Sequence, residues 1–100
     1  MDKKRQKIKA VDFQKYLGEQ LKNPEVKKHY SQYGKQLEIA YQILQLRKKS
    51  GLSQKVLAEK IGTNQSNVAR MEAGQQNFTT LTLQKIANVF KCNLKIEFSK

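Results

Sequence analysis

The run Asn64-Gln65-Ser66-Asn67-Val68-Ala69-Arg70 holds the side chains best suited to planar, multi-centre hydrogen bonding. Asn and Gln present a donor and an acceptor on one amide, Arg presents five donors in a rigid fork, and Ser adds a small hydroxyl. Wound into a helix, this run puts Val68 on an anchored side with Met71, while Gln65, Ser66 and Arg70 project away from it. A helix with one anchored face and short polar groups at its first turn fits the major groove of DNA. There Gln and Arg have the bidentate geometry to read adenine and guanine edges. Asn64 is placed to cap that helix, and Asn67 faces either a phosphate or solvent. Gln54, at the start of the preceding helix, can join main-chain amides in holding a phosphate, with Lys55 beside it.

The charge balance agrees with a polyanionic partner. Twenty Lys and Arg against eight Asp and Glu leave a net charge of +12 on 100 residues. Such a charge does not specify a fold, but it favours nucleic acid, with an anionic membrane surface next. No apolar run approaches the ~20 residues of a membrane span. The basic start, MDKKRQKIKA, leads into no apolar signal core, so a cytoplasmic protein is expected. One Cys (Cys92) and one His (His29) supply neither a disulfide framework nor a zinc set, so no metal and no cofactor is expected.

Helical spacing then organises the chain. The lysine-rich residues 1–10 are expected to be disordered, either a solubilising tail or an arm that touches phosphates. From Asp12, Phe13, Tyr16, Leu17 and Leu21 fall on one helical face. Asn23 and Pro24 end this helix and start a second, with Val26, His29, Tyr30 and Tyr33 at i, i+3, i+4 and i+7. Gly34 is expected to separate this pair from a longer helix over 35–49. That helix carries two apolar stripes: Ile39, Ile43 and Leu46 on one side, and Leu37, Ala40, Tyr41 and Leu44 on the other. A helix apolar on two sides is covered on two sides.

Gly51 closes the long helix, Ser53 caps the next, and Gly62 makes a turn that needs a positive φ. Leu57, Ile61, Val68 and Met71 point inward, and Gly74 stops the third helix. A last helix, capped near Thr80, turns Leu83, Ile86, Ala87 and Phe90 inward. Residues 93–98 alternate apolar and polar, the period of a half-buried strand, which would pair in this chain or with a twin subunit.

These residues carry a resemblance. Leu52-Ser53-Gln54, Leu57-Ala58, Ile61-Gly62, Gln65-Ser66, Val68, Arg70, Glu72 and Gly74 resemble the Cro/lambda-repressor (XRE) class of helix-turn-helix domains over about residues 36–92. The resemblance implies a five-helix core that binds operator DNA as a homodimer, with half-sites about 34 Å apart. It implies that Gln54 clamps the backbone, that positions 65, 66 and 70 face bases, and that Arg47 and Glu72 form a structural ion pair. Val56 departs from the class, which often has Glu there to complete a capping box.

The N-terminal half sharpens the likeness. Asp12-Phe13, Leu21, Asn23-Pro24-Glu25-Val26 and Tyr30, leading into Leu37-Glu38-Ile39-Ala40, look like antitoxins of the HigA type. Those proteins repress their own operon and bind HigB, a ribonuclease toxin of the RelE/ParE superfamily. The toxin surface would then comprise Phe13, Tyr16, Leu17 and Leu21 with Tyr30, Tyr33 and Tyr41. The alternative is that these residues pack onto the chain's own Leu37/Tyr41/Leu44 face. Nine basic and four acidic residues in positions 1–30 sit awkwardly with neutralising a basic toxin.

The fold expected is all-α: residues 1–33 as a basic tail and two short helices, and residues 34–100 as the five-helix domain with a strand at 93–98. The function expected is that of an antitoxin and autorepressor, against a free-standing XRE-family repressor without a toxin. An enzyme is not expected. A small basic ribonuclease using His29 and Tyr30 could do acid–base work, but its groups are scattered and the helix-turn-helix consumes most of the chain.

Overall fold

Local signals at the helix ends account for most of the element boundaries. The computed structural model describes residues 10–28 and 30–100, without the side chains of 10, 11 and 31–33. The lysine-rich residues 1–9, His29 and the Tyr33 side chain therefore lie outside the described residues. Among the described residues six helices follow in order: α1 (Ala10–Gln20), α2 (Pro24–Lys28), α3 (Tyr30–Lys49), α4 (Gln54–Ile61), α5 (Gln65–Glu72) and α6 (Thr80–Val89). Asn23 caps α2, its Oδ1 accepting from the amides of Glu25 (2.8 Å) and Val26 (3.4 Å), and Pro24 opens the helix with its preset φ. Ser53, Asn64 and Thr79 cap α4, α5 and α6 in the same manner, each accepting from the amide three residues on.

Gly62 ends α4 with φ +80°, and the amide of Thr63 closes the turn on the Ala58 carbonyl at 2.8 Å. Gly74 ends α5 with φ +72°, and a Cβ there would stand 2.5 Å from Leu37 Cδ2. Glycine at 74 is thus required twice, by the backbone and by the approach of α3.

Three sequence expectations need correction. Gly34 does not break the chain, and α3 runs through it as a helix of 20 residues. An interior glycine costs a helix only about 1 kcal/mol relative to Ala, and packing on both faces of α3 outweighs that. Tyr30 and Tyr33 fall within α3, while His29, which lies between α2 and α3, is outside the described residues. The strand expected at 93–98 is absent: residues 92–100 have no regular structure, and Ile96 and Phe98 are exposed. Alternation alone makes no strand, and among the described residues no second strand offers an edge. The described part of 34–100 holds four helices, α3 to α6, not the five that the resemblance implied.

Two apolar clusters meet on opposite sides of α3. In one, Ile43 joins Leu57, Ala58, Ile61, Val68, Met71 and Ile86, closing α4, α5 and α6 around the middle of α3. In the other, Leu37, Ala40 and Tyr41 bury Tyr16, Leu17 and Val26, so α1 and α2 dock on the chain's own long helix. Phe13, Tyr16 and Tyr41 form an aromatic group, with Tyr41 5.4 Å from Phe13 edge-on and 5.1 Å from Tyr16. Phe78, in the loop before α6, packs against both clusters.

Candidate nucleic-acid interface

The turn Gly62-Thr63-Asn64 sets α5 across α4, and the apolar side of α5 fixes its rotation. Val68 is wholly buried and Met71 nearly so. Helical geometry then turns the opposite side outward: Gln65, Ser66 and Arg70 are exposed, and Asn67 is half-buried beside them. Asn64 is exposed, with its Oδ1 accepting from the Asn67 amide at 2.8 Å. The structure therefore brings Asn64, Gln65, Ser66, Asn67 and Arg70 together on the outer side of one helix.

Glu72, at the end of α5, is a buried carboxylate that ties this helix to its neighbours. Its Oε2 accepts from Arg47 Nε at 2.6 Å and its Oε1 from Arg47 Nη2 at 3.0 Å, the bidentate fork of guanidinium and carboxylate. The remaining Arg47 arm, Nη1, donates to the Leu52 carbonyl at 2.8 Å and holds the loop between α3 and α4. Gln54 Nε2 donates to Glu72 Oε1 at 3.1 Å. A primary amide has two N–H donors, so the Glu72 bond orients the Gln54 side chain and leaves one donor over. Lys55, next along α4, is exposed. Lys60 lines a shallow depression with Lys85, Asn88 and Val89 of α6.

Asn67 stands at the centre of a second network. Its Nδ2 donates to Thr63 Oγ1 at 2.9 Å. Its Oδ1 accepts from Arg70 Nη2 at 3.3 Å and also from Gln76 Nε2. Gln76 was not foreseen as part of this face. The signal was three consecutive amide residues, Gln75-Gln76-Asn77, directly after α5, but spacing does not say which of them folds back onto the helix.

Of the residues considered for a toxin surface, Tyr16, Leu17 and Tyr41 are buried, Phe13 and Leu21 are half-buried against them, and Tyr30 is exposed. The apolar stripe of α1 thus covers Leu37 and Tyr41 of α3. Burial, and secondarily the Glu72 carboxylate, push the Tyr16 phenol well above its ordinary pKa, so it stays a neutral donor. Among the described residues no three His, Cys, Asp or Glu side chains are grouped to hold a metal ion, and no helix is long and apolar enough to cross a membrane.

The model of a helix-turn-helix family matches residues 43–96, just over half of the chain. This chain belongs to the helix-turn-helix family. It is a DNA-binding regulator of the XRE type, and the match takes in the last third of α3, all of α4, α5 and α6, and the start of the irregular tail. The helix-turn-helix chain is similar to a solved structure, the restriction-modification controller protein C.AhdI from Aeromonas hydrophila. That likeness has 30% sequence identity and a TM-score of 0.58, and covers 61% of this chain and 88% of the other. Among curated proteins none matches this helix-turn-helix chain.

Proposed function

We propose that the protein is a free-standing transcriptional regulator that binds operator DNA as a homodimer. In this reading α5 enters the major groove, Gln65, Ser66 and Arg70 meet base edges, and the spare N–H of Gln54, with Lys55, holds a backbone phosphate. Asn64 keeps its cap and lies at the phosphate end of α5. The observation that carries the reading is the exposed polar side of α5 set on a buried Val68/Met71 anchor. The net charge of +12 and the likeness to a controller protein support it.

The antitoxin role implied by the HigA-type likeness draws no support from the fold or the comparisons. The stripe it would offer to a toxin is spent on α3, with Tyr16 and Leu17 at 7% and 8% exposure. A free-standing regulator needs no second use for that stripe.

The test is selection from a random duplex library, followed by affinity measurement on the enriched sequence. Wild-type protein enriches one sequence with two half-sites about 34 Å apart. Arg70→Ala costs roughly 1–3 kcal/mol on that duplex and relaxes preference at one base pair in each half-site. Enrichment of no sequence, or an Arg70→Ala protein with unchanged affinity and preference, would sink the reading. Co-expression with the product of the adjacent gene separates the two roles: recovery of this chain without a stable small partner fits the free-standing regulator.

A further inference from the structure

The side chain of Asn67 has little bonding capacity left for DNA. An amide oxygen accepts two hydrogen bonds and an amide nitrogen donates two. Both acceptor positions of Oδ1 face donors, Arg70 Nη2 and Gln76 Nε2, and one Nδ2 hydrogen faces Thr63 Oγ1. The orientation of the amide follows from these partners, because a flipped Asn67 would point its NH₂ at two donors. Bidentate reading of adenine needs both ends of an amide free, and that option is closed. A phosphate contact would have to use the single remaining N–H.

The same bonds place Asn67 between three pieces of the site. Thr63 belongs to the turn before α5, Arg70 lies one turn further along α5, and Gln76 comes from the loop that follows it. The exposed Arg70 guanidinium would otherwise sample many rotamers. Held by one of its five N–H groups, it keeps the rest of its fork for a base edge.

We propose that Asn67 is a positioning residue for sequence readout: braced by Thr63 and Gln76, it aims Arg70 and does not itself contact DNA. The proposal rests on the DNA-reading role of α5. Arg70 then enters the groove already ordered, and the preference at its base pair depends on Asn67 although Asn67 touches no base.

The probe is the duplex that wild-type protein enriches from a random library, with its single-base-pair variants and an unrelated duplex, measured by fluorescence anisotropy at several salt concentrations. Asn67→Ala is expected to lose about fivefold to tenfold in affinity for the enriched duplex, the scale of one hydrogen bond. The lost preference falls at the same base pair that Arg70→Ala affects, the salt slope stays at the wild-type value, and the Asn67→Ala/Arg70→Ala double variant is no worse than Arg70→Ala alone. Gln76→Ala shifts preference at that base pair to a smaller extent. Asn67→Asp keeps the acceptor oxygens and is expected to retain the preference, whatever its added negative charge does to overall affinity. Circular dichroism melting of each variant identifies a folding defect, and the Gln76→Ala and Asn67→Asp arms still carry the test if Asn67→Ala does not fold.

A salt slope lowered by about one, with equal losses on all duplexes, would make Asn67 a phosphate contact and overturn the proposal. Relaxed preference at a different base pair would make it a direct reader, with the same consequence, and so would unchanged affinity and preference. Failure of wild-type protein to enrich any sequence overturns the DNA reading itself. The proposal alone fails where wild type enriches a site and Arg70→Ala, but not Asn67→Ala, changes it.

Discussion

The phenolic hydroxyl of Tyr16 donates a 2.7 Å hydrogen bond to the main-chain carbonyl of Glu72. These residues lie 56 positions apart in the sequence, one on the first helix and one on the last turn of α5. The carbonyl belongs to the C-terminal turn of α5, where a helix has no internal partner to offer. The carboxylate of the same residue holds Arg47 and Gln54. Glu72 therefore gathers α1, α3, the start of α4 and α5 around itself, and α1 braces the C-terminal end of α5.

Replacing Tyr16 with Phe keeps the ring and removes that bond. The expected loss is about 1 kcal/mol of folding stability, read by urea or thermal melts at neutral pH. The pH dependence follows from the raised phenol pKa, caused first by burial and then by the Glu72 carboxylate. The contribution of Tyr16 is complete below the unfolded value of about 10 and fades as pH climbs from there toward the higher folded value. The stability advantage of wild type over Tyr16→Phe should thus be flat near neutrality and shrink above about pH 10. A gap that widens with alkali would contradict the assignment.

The Arg47–Glu72 pair is nearly dry, with side-chain exposures of 13% and 5%. Glu72→Ala strands the Arg47 guanidinium and is expected to cost about 3–5 kcal/mol. An Arg47→Met/Glu72→Leu double variant removes both charges together and should recover most of that loss, although it releases Gln54. Equal damage in the single and double variants would mean that the pair matters for more than charge compensation.

Two glycines with the same backbone sign separate strain from space. A Cβ at Gly62 meets nothing within 4 Å, so Gly62→Ala should cost about 1–2 kcal/mol from left-handed strain alone. A Cβ at Gly74 meets Leu37 Cδ2 at 2.5 Å, and Leu37 has no exposed surface through which to yield. Gly74→Ala should add roughly 1–3 kcal/mol of overpacking to the strain. Chemical denaturation of both variants checks the order.

The exposed, irregular tail makes its own prediction. Removing residues 95–100 takes away the exposed Ile96 and Phe98 and no helix. Stability should change by no more than about 0.5 kcal/mol, as for surface changes elsewhere. A large loss would mean that these side chains find a cover in solution.

From the sequence alone, the α4–turn–α5 unit was legible almost residue by residue. Ser53, Gly62, Asn64 and Gly74 act on neighbours within about one helical turn, so their effect needs no knowledge of the distant chain. The inward positions Leu57, Ile61, Val68 and Met71 follow from helical period in the same local way, and the two stripes of α3 correctly required two covers. What local pattern did not contain was the identity of each cover. The α1 stripe fits a partner protein as well as it fits Leu37 and Tyr41, since apolar burial has no directional preference, and only the packed structure puts α1 on its own α3. Gly34 reads as a break until packing on both sides of α3 is seen to outweigh its propensity. Residues 93–98 have a strand's alternation, but a strand exists only by pairing, and among the described residues no second strand offers an edge. At Asn67 the sequence determined an amide on the outer side of α5. Its three partners come from the turn before, the helix itself and the loop after, and only the tertiary fold brings them to one amide.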